Sequence, residues 1–152
     1  MTKLLLENWK RYIFEELQVS KNTSIFDGTD FDLKSEDGKA KIFVGSGMGL
    51  SNLISAAYPK YIDSAKYIRK HKDKVAWIDY IESEQTNKGS GSRLIENIFS
   101  LLKEDGVKFI FLHTASGSEQ DKRKNFFIKH GFVELEKVDE NRPRRLMMKK
   151  LA

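Results

Sequence analysis

The chain has 152 residues, with 27 Lys or Arg against 22 Asp or Glu, and a net charge of +5. It has no cysteine, which excludes disulfides, thiolate metal sites and a cysteine nucleophile. No apolar run approaches the roughly 20 residues of a membrane span, and Glu7, Lys10 and Arg11 interrupt the start where a signal peptide would be apolar. The expectation is one domain over residues 1–152, cytoplasmic and away from membranes. The mild positive charge suits an anionic ligand such as a nucleotide cofactor, or a nucleic acid, and does not choose between them.

Taken in chain order, Leu5, Trp9, Tyr12, Ile13 and Leu17 recur at helical spacing, which predicts a helix over residues 3–18, ended by Asn22-Thr23-Ser24. A hairpin follows. One arm runs from Ile25-Phe26 to Leu33, Ser35-Glu36-Asp37-Gly38 is the turn, and Lys41 to Val44 is the other arm. Gly45-Ser46-Gly47-Met48-Gly49 reads as a flexible connector that lines an acceptor site. Leu50, Leu53, Ile54, Ala57 and Tyr58 then keep helical spacing, and Pro59 opens a second helix with Tyr61, Ile62, Ala65 and Ile68.

Val75 to Ile81 reads as a strand, and a helix carrying Leu94, Ile95, Ile98, Leu101 and Leu102 follows, stopped by Asp105-Gly106. Val107 to His113 is nearly continuous in apolar residues, the pattern of a strand covered on both faces. A helix over residues 118–130 closes at Gly131, and strands follow at Phe132 to Val138 and Arg145 to Lys149. The whole is an α/β domain with a mixed sheet and helices on both faces.

The segment between the strand at Val75 and the helix at Leu94 carries the most chemistry. It reads Thr86-Asn87-Lys88-Gly89-Ser90-Gly91-Ser92-Arg93. A strand that ends in glycines and opens a helix exposes several backbone N–H groups at the positive end of a helix dipole, where a diphosphate is favoured. Gly89 and Gly91 allow close approach of the backbone. Lys88 and Arg93 add positive charge, and Ser90 and Ser92 add hydroxyl donors. The same residues also suit a plain strand-to-helix turn. A nucleotide-binding Walker loop is excluded because its Gly-x-x-x-x-Gly-Lys spacing is missing. The earlier glycine segment reads Gly-x-Gly-x-Gly and so misses the dinucleotide spacing Gly-x-Gly-x-x-Gly.

The loop resembles the Gln/Arg-x-x-Gly-x-Gly/Ala motif of GNAT N-acetyltransferases, with Thr86 where Gln or Arg is usual. A second landmark of that family, an aromatic residue followed after three residues by Gly-Phe, is matched by Phe127-Ile128-Lys129-His130-Gly131-Phe132. The resemblance covers residues 75–138. It implies a mostly antiparallel sheet with a splayed parallel pair, which holds acetyl-CoA as acetyl donor, and direct transfer to an amine without a metal. Backbone groups of Ile81 and Ser83 would hold the pantetheine arm, with the diphosphate on Lys88, Gly89, Ser90, Gly91, Ser92 and Arg93.

Candidate bases are Asp79, Glu82 and His113, directly or through water. In an unbroken strand Asp79 and Ile81 share one face and Glu82 takes the other. Phe127 occupies the position of the tyrosine that protonates the departing thiolate in many family members. It would pack against the pantetheine arm without donating a proton, which leaves His113 and Thr114 as substitutes. The acceptor stays open among a protein lysine, a protein N-terminus, a polyamine and an aminoglycoside, as does a homodimer. Two alternatives stand beside this: a non-catalytic CoA- or nucleic-acid-binding module, for which Arg142-Pro143-Arg144-Arg145 and Arg69 to Lys74 supply basic runs, and a methyltransferase using S-adenosylmethionine at Gly45–Gly49.

Overall fold

A computed structural model of the chain describes residues 18–23, 26, 28–83, 89–114, 120–135 and 146–151. In chain order the elements are β1 (Gln18–Thr23), β2 (Thr29–Ser35), β3 (Gly38–Ser46), α1 (Gly47–Ala57), a 3₁₀ turn (Pro59–Tyr61) and α2 (Ile62–Arg69). Then come β4 (Lys74–Ser83), α3 (Ser90–Glu104), β5 (Phe109–His113), α4 (Gln120–Lys129), β6 (Val133–Leu135) and β7 (Leu146–Lys150). The strands form one seven-stranded sheet in the order β1-β2-β3-β4-β5-β7-β6. Only β4 and β5 run parallel among the described strands.

Alternation along the strands sends side chains to two cores. On one face Ile42, Ala76, Ile78, Ile110, Leu112 and Met147 meet Leu94, Ile95, Ile98 and Leu102 of α3 and Phe127 of α4. On the other, Val75, Trp77, Phe111 and Leu146 meet Leu50 and Ile54 of α1, Tyr61, and Ala65 and Ile68 of α2. In α3 the buried residues recur every three to four positions, so one stripe faces the sheet. Each such side chain contributes about 1.5–3 kcal/mol by leaving water. Lys74 Nζ, at the start of β4, bonds the Asp105 carboxylate at the end of α3 at 2.7 Å. The crossover therefore returns α3 antiparallel to β4 and puts the glycine start of α3 beside the Ser83 end of that strand.

Four expectations change. Residues 3–17 of the helix expected over 3–18 lie outside the described residues, and Asn22-Thr23 does not end a helix, because Gln18–Thr23 pairs with Thr29–Lys34 as strand β1. All six side chains of β1 are exposed, so its backbone ladder leaves no apolar pattern to read. The described strand of the first hairpin arm is Thr29–Ser35, and Ile25, where that arm was expected to begin, lies outside the described residues. The strand expected from Phe132 is seen as Val133–Leu135, and residues 136–145, with Arg142 to Arg145, lie outside the described residues.

The fourth change is at Gly45–Gly49, which is not a connector. Gly45 and Ser46 end β3, and Gly47 to Gly49 form the first turn of α1, capped by Ser46 Oγ, which accepts from Gly49 N at 3.0 Å. The glycines are there for packing. A Cβ on Gly47 would meet the carbonyl oxygens of His71 and, at 2.6 Å, Ile68, and one on Gly49 would meet that of Phe26 at 2.6 Å.

Candidate functional site

The sheet opens where its only described parallel pair stops. β4 and β5 pair at Val75↔Phe109, Ala76↔Ile110 and Trp77↔Phe111, and no further. Beyond that point β4 stays with β3 as far as Ser83, and β5 stays with β7 as far as His113. Each strand follows its outer neighbour, and a fork opens between them. The cause is local. Ile42 pairs with Ile78 and Lys41 with Tyr80, which leaves Asp79 as the extra residue of a β-bulge. A bulge bends its strand and increases its twist, and this one lies just past the last parallel rung. The fork-side edge of β4 from Ile78 to Ser83 faces no strand among the described residues, so its backbone groups are available to a ligand.

The bulge also corrects the expected sharing of faces. Ile78 and Ile81 both pack on the core under α3. Asp79 turns to the other face, where its carboxylate accepts a short hydrogen bond from Tyr58 Oη. Asp79 and Ile81 therefore do not share a face, because the extra residue breaks the period of two. Burial, then the hydrogen bond and charge of Asp79, and last the neighbouring Tyr61, push the Tyr58 phenol up to about 12. Glu82 is exposed and pairs with Lys39 at 3.5 Å, away from this group.

His113 ends β5 on the same face as Asp79. Its ring stacks on Tyr61 with centroids 4.1 Å apart and planes 5° from parallel. Its Nε2 and Ser64 Oγ are hydrogen-bonded at 2.6 Å, and Trp77 lies 5.7 Å away, ring to ring. Tyr58 and Tyr61 are 5.6 Å apart, so an aromatic wall joins Asp79 on one arm of the fork to His113 on the other. Tyr58, Tyr61 and Ser64 were not singled out in the sequence, where helical spacing explains Tyr58 and Tyr61 as core. Thr114 is buried next to His113.

On the other side of the fork is the start of α3. Gly89 is its N-cap with φ 78°, a left-handed conformation that glycine takes without strain, and no side chain caps the first turn. The N–H groups of Ser90, Gly91 and Ser92 precede the first intrahelical bond, Arg93 N to Gly89 O at 3.0 Å, and so point outward. A Cβ on Gly91 would lie 3.4 Å from the Phe126 ring and 3.6 Å from Ser83 Cβ. The end of β4 and the start of α3 thus lie in contact, with room at Gly91 for a Cβ and little beyond it. Arg93 Nε donates to Asp37 Oδ1 of the β2–β3 turn at 2.9 Å, and its Nη2 donates to Ser90 Oγ at 3.3 Å. Lys88, with Thr86 and Asn87, lies outside the described residues.

Phe127 is 8% exposed, edge-on to Phe126 and Phe132 in the first core. Its neighbour Phe126 is the ring over the helix start. In an Asn-Phe-Phe-Ile sequence only the phase of the helix distinguishes the two. Among the described residues, no group of three or more His, Cys, Asp or Glu is placed to hold a metal ion, and no helix is long and apolar enough to cross a membrane.

No protein-family model matches the sequence, and no curated protein matches it. Solved structures do. A GNAT family acetyltransferase from Elizabethkingia anophelis, with acetyl-CoA bound, is similar with a TM-score of 0.50 and 12% identity, over 90% of this chain and 99% of that one. FeeM, an N-acyl amino acid synthase from uncultured soil microbes, is similar with a TM-score of 0.51 and 12% identity, over 99% of this chain and 87% of that one. At 12% identity the likeness is one of fold, which in this chain is a mixed sheet with a single described parallel pair and helices on its two faces. The chain has the fold of the GNAT acetyltransferases.

Proposed function

We propose that the chain, acting as one domain, transfers the acetyl group of acetyl-CoA to a primary amine of a protein or a small molecule. The observation that carries this is the fork between β4 and β5, with a glycine-started helix at one side and a tyrosine-held carboxylate at the other. The first-turn N–H groups of α3 suit a diphosphate, with Gly89 and Gly91 giving close approach and Ser90, Ser92, Arg93 and Lys88 supplying polar and cationic contacts. The open edge of β4 at Ile81 and Ser83 suits the amide groups of a pantetheine arm. Phe126 and Phe127 give that side an apolar floor. The acetyl group then lies in the fork, within reach of both arms.

An amine as acceptor fits the far side. Tyr58 bonds the Asp79 carboxylate there and has Tyr61 beside it, and an ammonium is attracted to both aromatic faces and negative charge. Asp79 takes the proton of the ammonium, directly or through water, and the freed nitrogen attacks the thioester carbon. The carbon–sulfur bond breaks and the thiolate leaves. Phe127 has no proton to give, and His113 is the group at the mouth of the fork that can supply one. The same lack of a donor at Phe127 favours a second reading, a module of this fold that binds CoA without turnover.

Cofactor binding is tested by thermal unfolding. Ligand at 100 times its Kd stabilises the folded state by about 2.7 kcal/mol, a rise in Tm of several degrees for a chain of this size. Acetyl-CoA should give that rise, while NAD and S-adenosylmethionine should not. A rise with either of those and none with acetyl-CoA would overturn the reading.

A further inference from the structure

His130 had no part in the site as first read. It follows the last turn of α4, and its side chain is 9% exposed. Its ring lies against Phe126 at 4.8 Å between centroids, and so beside the start of α3. Nδ1 is 3.0 Å from Glu96 Oε1, and Nε2 is 3.0 Å from Ser92 Oγ. Ser92 and Glu96 are four residues apart, on one face of α3. Lys149 Nζ donates to the His130 carbonyl at 2.9 Å and fixes the residue from β7. Among the described residues, Glu96 and Lys149 are the charged groups that face it.

The hydrogen-bond roles follow from the chemistry of the three groups. A carboxylate only accepts, so Nδ1 carries its proton toward Glu96. In the neutral ring Nε2 is then the acceptor, and it takes the Ser92 hydroxyl proton. The Ser92 hydroxyl, one residue past Gly91, is thereby engaged by His130 and does not donate to a ligand. When the ring is protonated both nitrogens donate. Nε2–H then bonds the Ser92 oxygen and frees the hydroxyl proton to donate elsewhere. A positive charge also appears beside the first turn of α3.

We propose that His130 is a positioning residue that couples diphosphate binding at the start of α3 to pH, through Ser92. This rests on the reading above, that α3 takes the diphosphate of CoA. The protonated ring presents both a donor and a charge to the diphosphate, and the neutral ring withdraws both. Affinity therefore falls when the ring loses its proton. His130 touches neither the acetyl group nor the amine.

The test is calorimetric titration of the full chain with dephospho-CoA between about pH 5 and 8. That probe keeps the diphosphate and lacks the phosphomonoester that titrates in the same range. The wild type should bind roughly tenfold more weakly at the alkaline end, the effect of about one unit of linked shift. His130→Gln should bind with little dependence on pH, and Ser92→Ala with a smaller dependence than the wild type, since the ring charge remains. Pantetheine, which has no phosphate, should show no such dependence with any of the three proteins. By NMR at one fixed pH, dephospho-CoA should move the His130 ring signals toward those of the protonated ring. A wild type that binds equally at all pH, or a His130→Gln variant that keeps the wild-type slope, overturns the inference and leaves the cofactor reading intact. A folded wild type that binds neither dephospho-CoA nor acetyl-CoA at any pH overturns both.

Discussion

Tyr58 holds Asp79 by a hydrogen bond that only its neutral phenol can make, so the two residues are linked by one proton. The phenol is raised from 10.0 to about 12, by burial first and then by Asp79. Because the folded chain holds that proton more tightly than the unfolded one, the contribution to stability is complete below pH 10 and is lost as pH rises toward about 12. In alkaline unfolding followed by circular dichroism, Tyr58→Phe should lack this component. Its loss of stability over that window should be smaller than that of the wild type. Equal slopes would show that Asp79 is not held by the phenol. His113 is placed by different means, stacked on Tyr61 and bonded to Ser64. Asp79 and His113 were legible as candidates because the resemblance puts the reaction in the gap between the strand that carries Asp79 and the strand that His113 ends. Their partners were not, since Tyr58 and Tyr61 read as ordinary members of helical stripes and no pattern marked Ser64.

At the scale of elements, the parts that carry strong periodicity were legible. β4, α3, β5 and α4 fall where spacing, glycine stops and apolar runs put them. β1 and the Asp79 bulge were not, because both are decided by which backbone groups pair across the sheet. The two glycine segments show the same limit. Each follows a strand and opens a helix, yet Gly47 is pressed against the carbonyl groups of Ile68 and His71, whereas Gly91 faces Ser83 and Phe126 at the mouth of the site. Valine at the two positions should separate these roles. Gly47→Val should cost about 1–3 kcal/mol by overpacking, read as a lower Tm, with acetyl-CoA still raising whatever Tm remains. Gly91→Val should abolish the acetyl-CoA shift, by moving Phe126 and filling the approach to the first-turn N–H groups. A Gly47→Val protein of unchanged Tm would contradict the packing account, and a Gly91→Val protein with a normal shift would move the cofactor elsewhere.

For the whole molecule, the fold supplies an opening in the sheet between β4 and β5, and two faces of side chains meet there. The helices α3 and α4 bring donors and aromatic rings to one side, and α1 and α2 bring Tyr58, Tyr61 and Ser64 to the other. A transfer reaction uses both sides at once, whereas a binding module needs only the first. The measurement that separates them is release of free CoA when acetyl-CoA is mixed with the full chain and a panel of primary amines. CoA release should exceed the hydrolytic background for at least one amine, matched by an acetylated product in the mass spectrum and rising with pH as the amine loses its proton. Asp79→Asn should reduce kcat by about 10²–10⁴-fold, the range for a general base, with acetyl-CoA affinity unchanged. A wild type that binds acetyl-CoA yet releases none across the panel, or an Asp79→Asn variant that turns over as fast as the wild type, would contradict this mechanism.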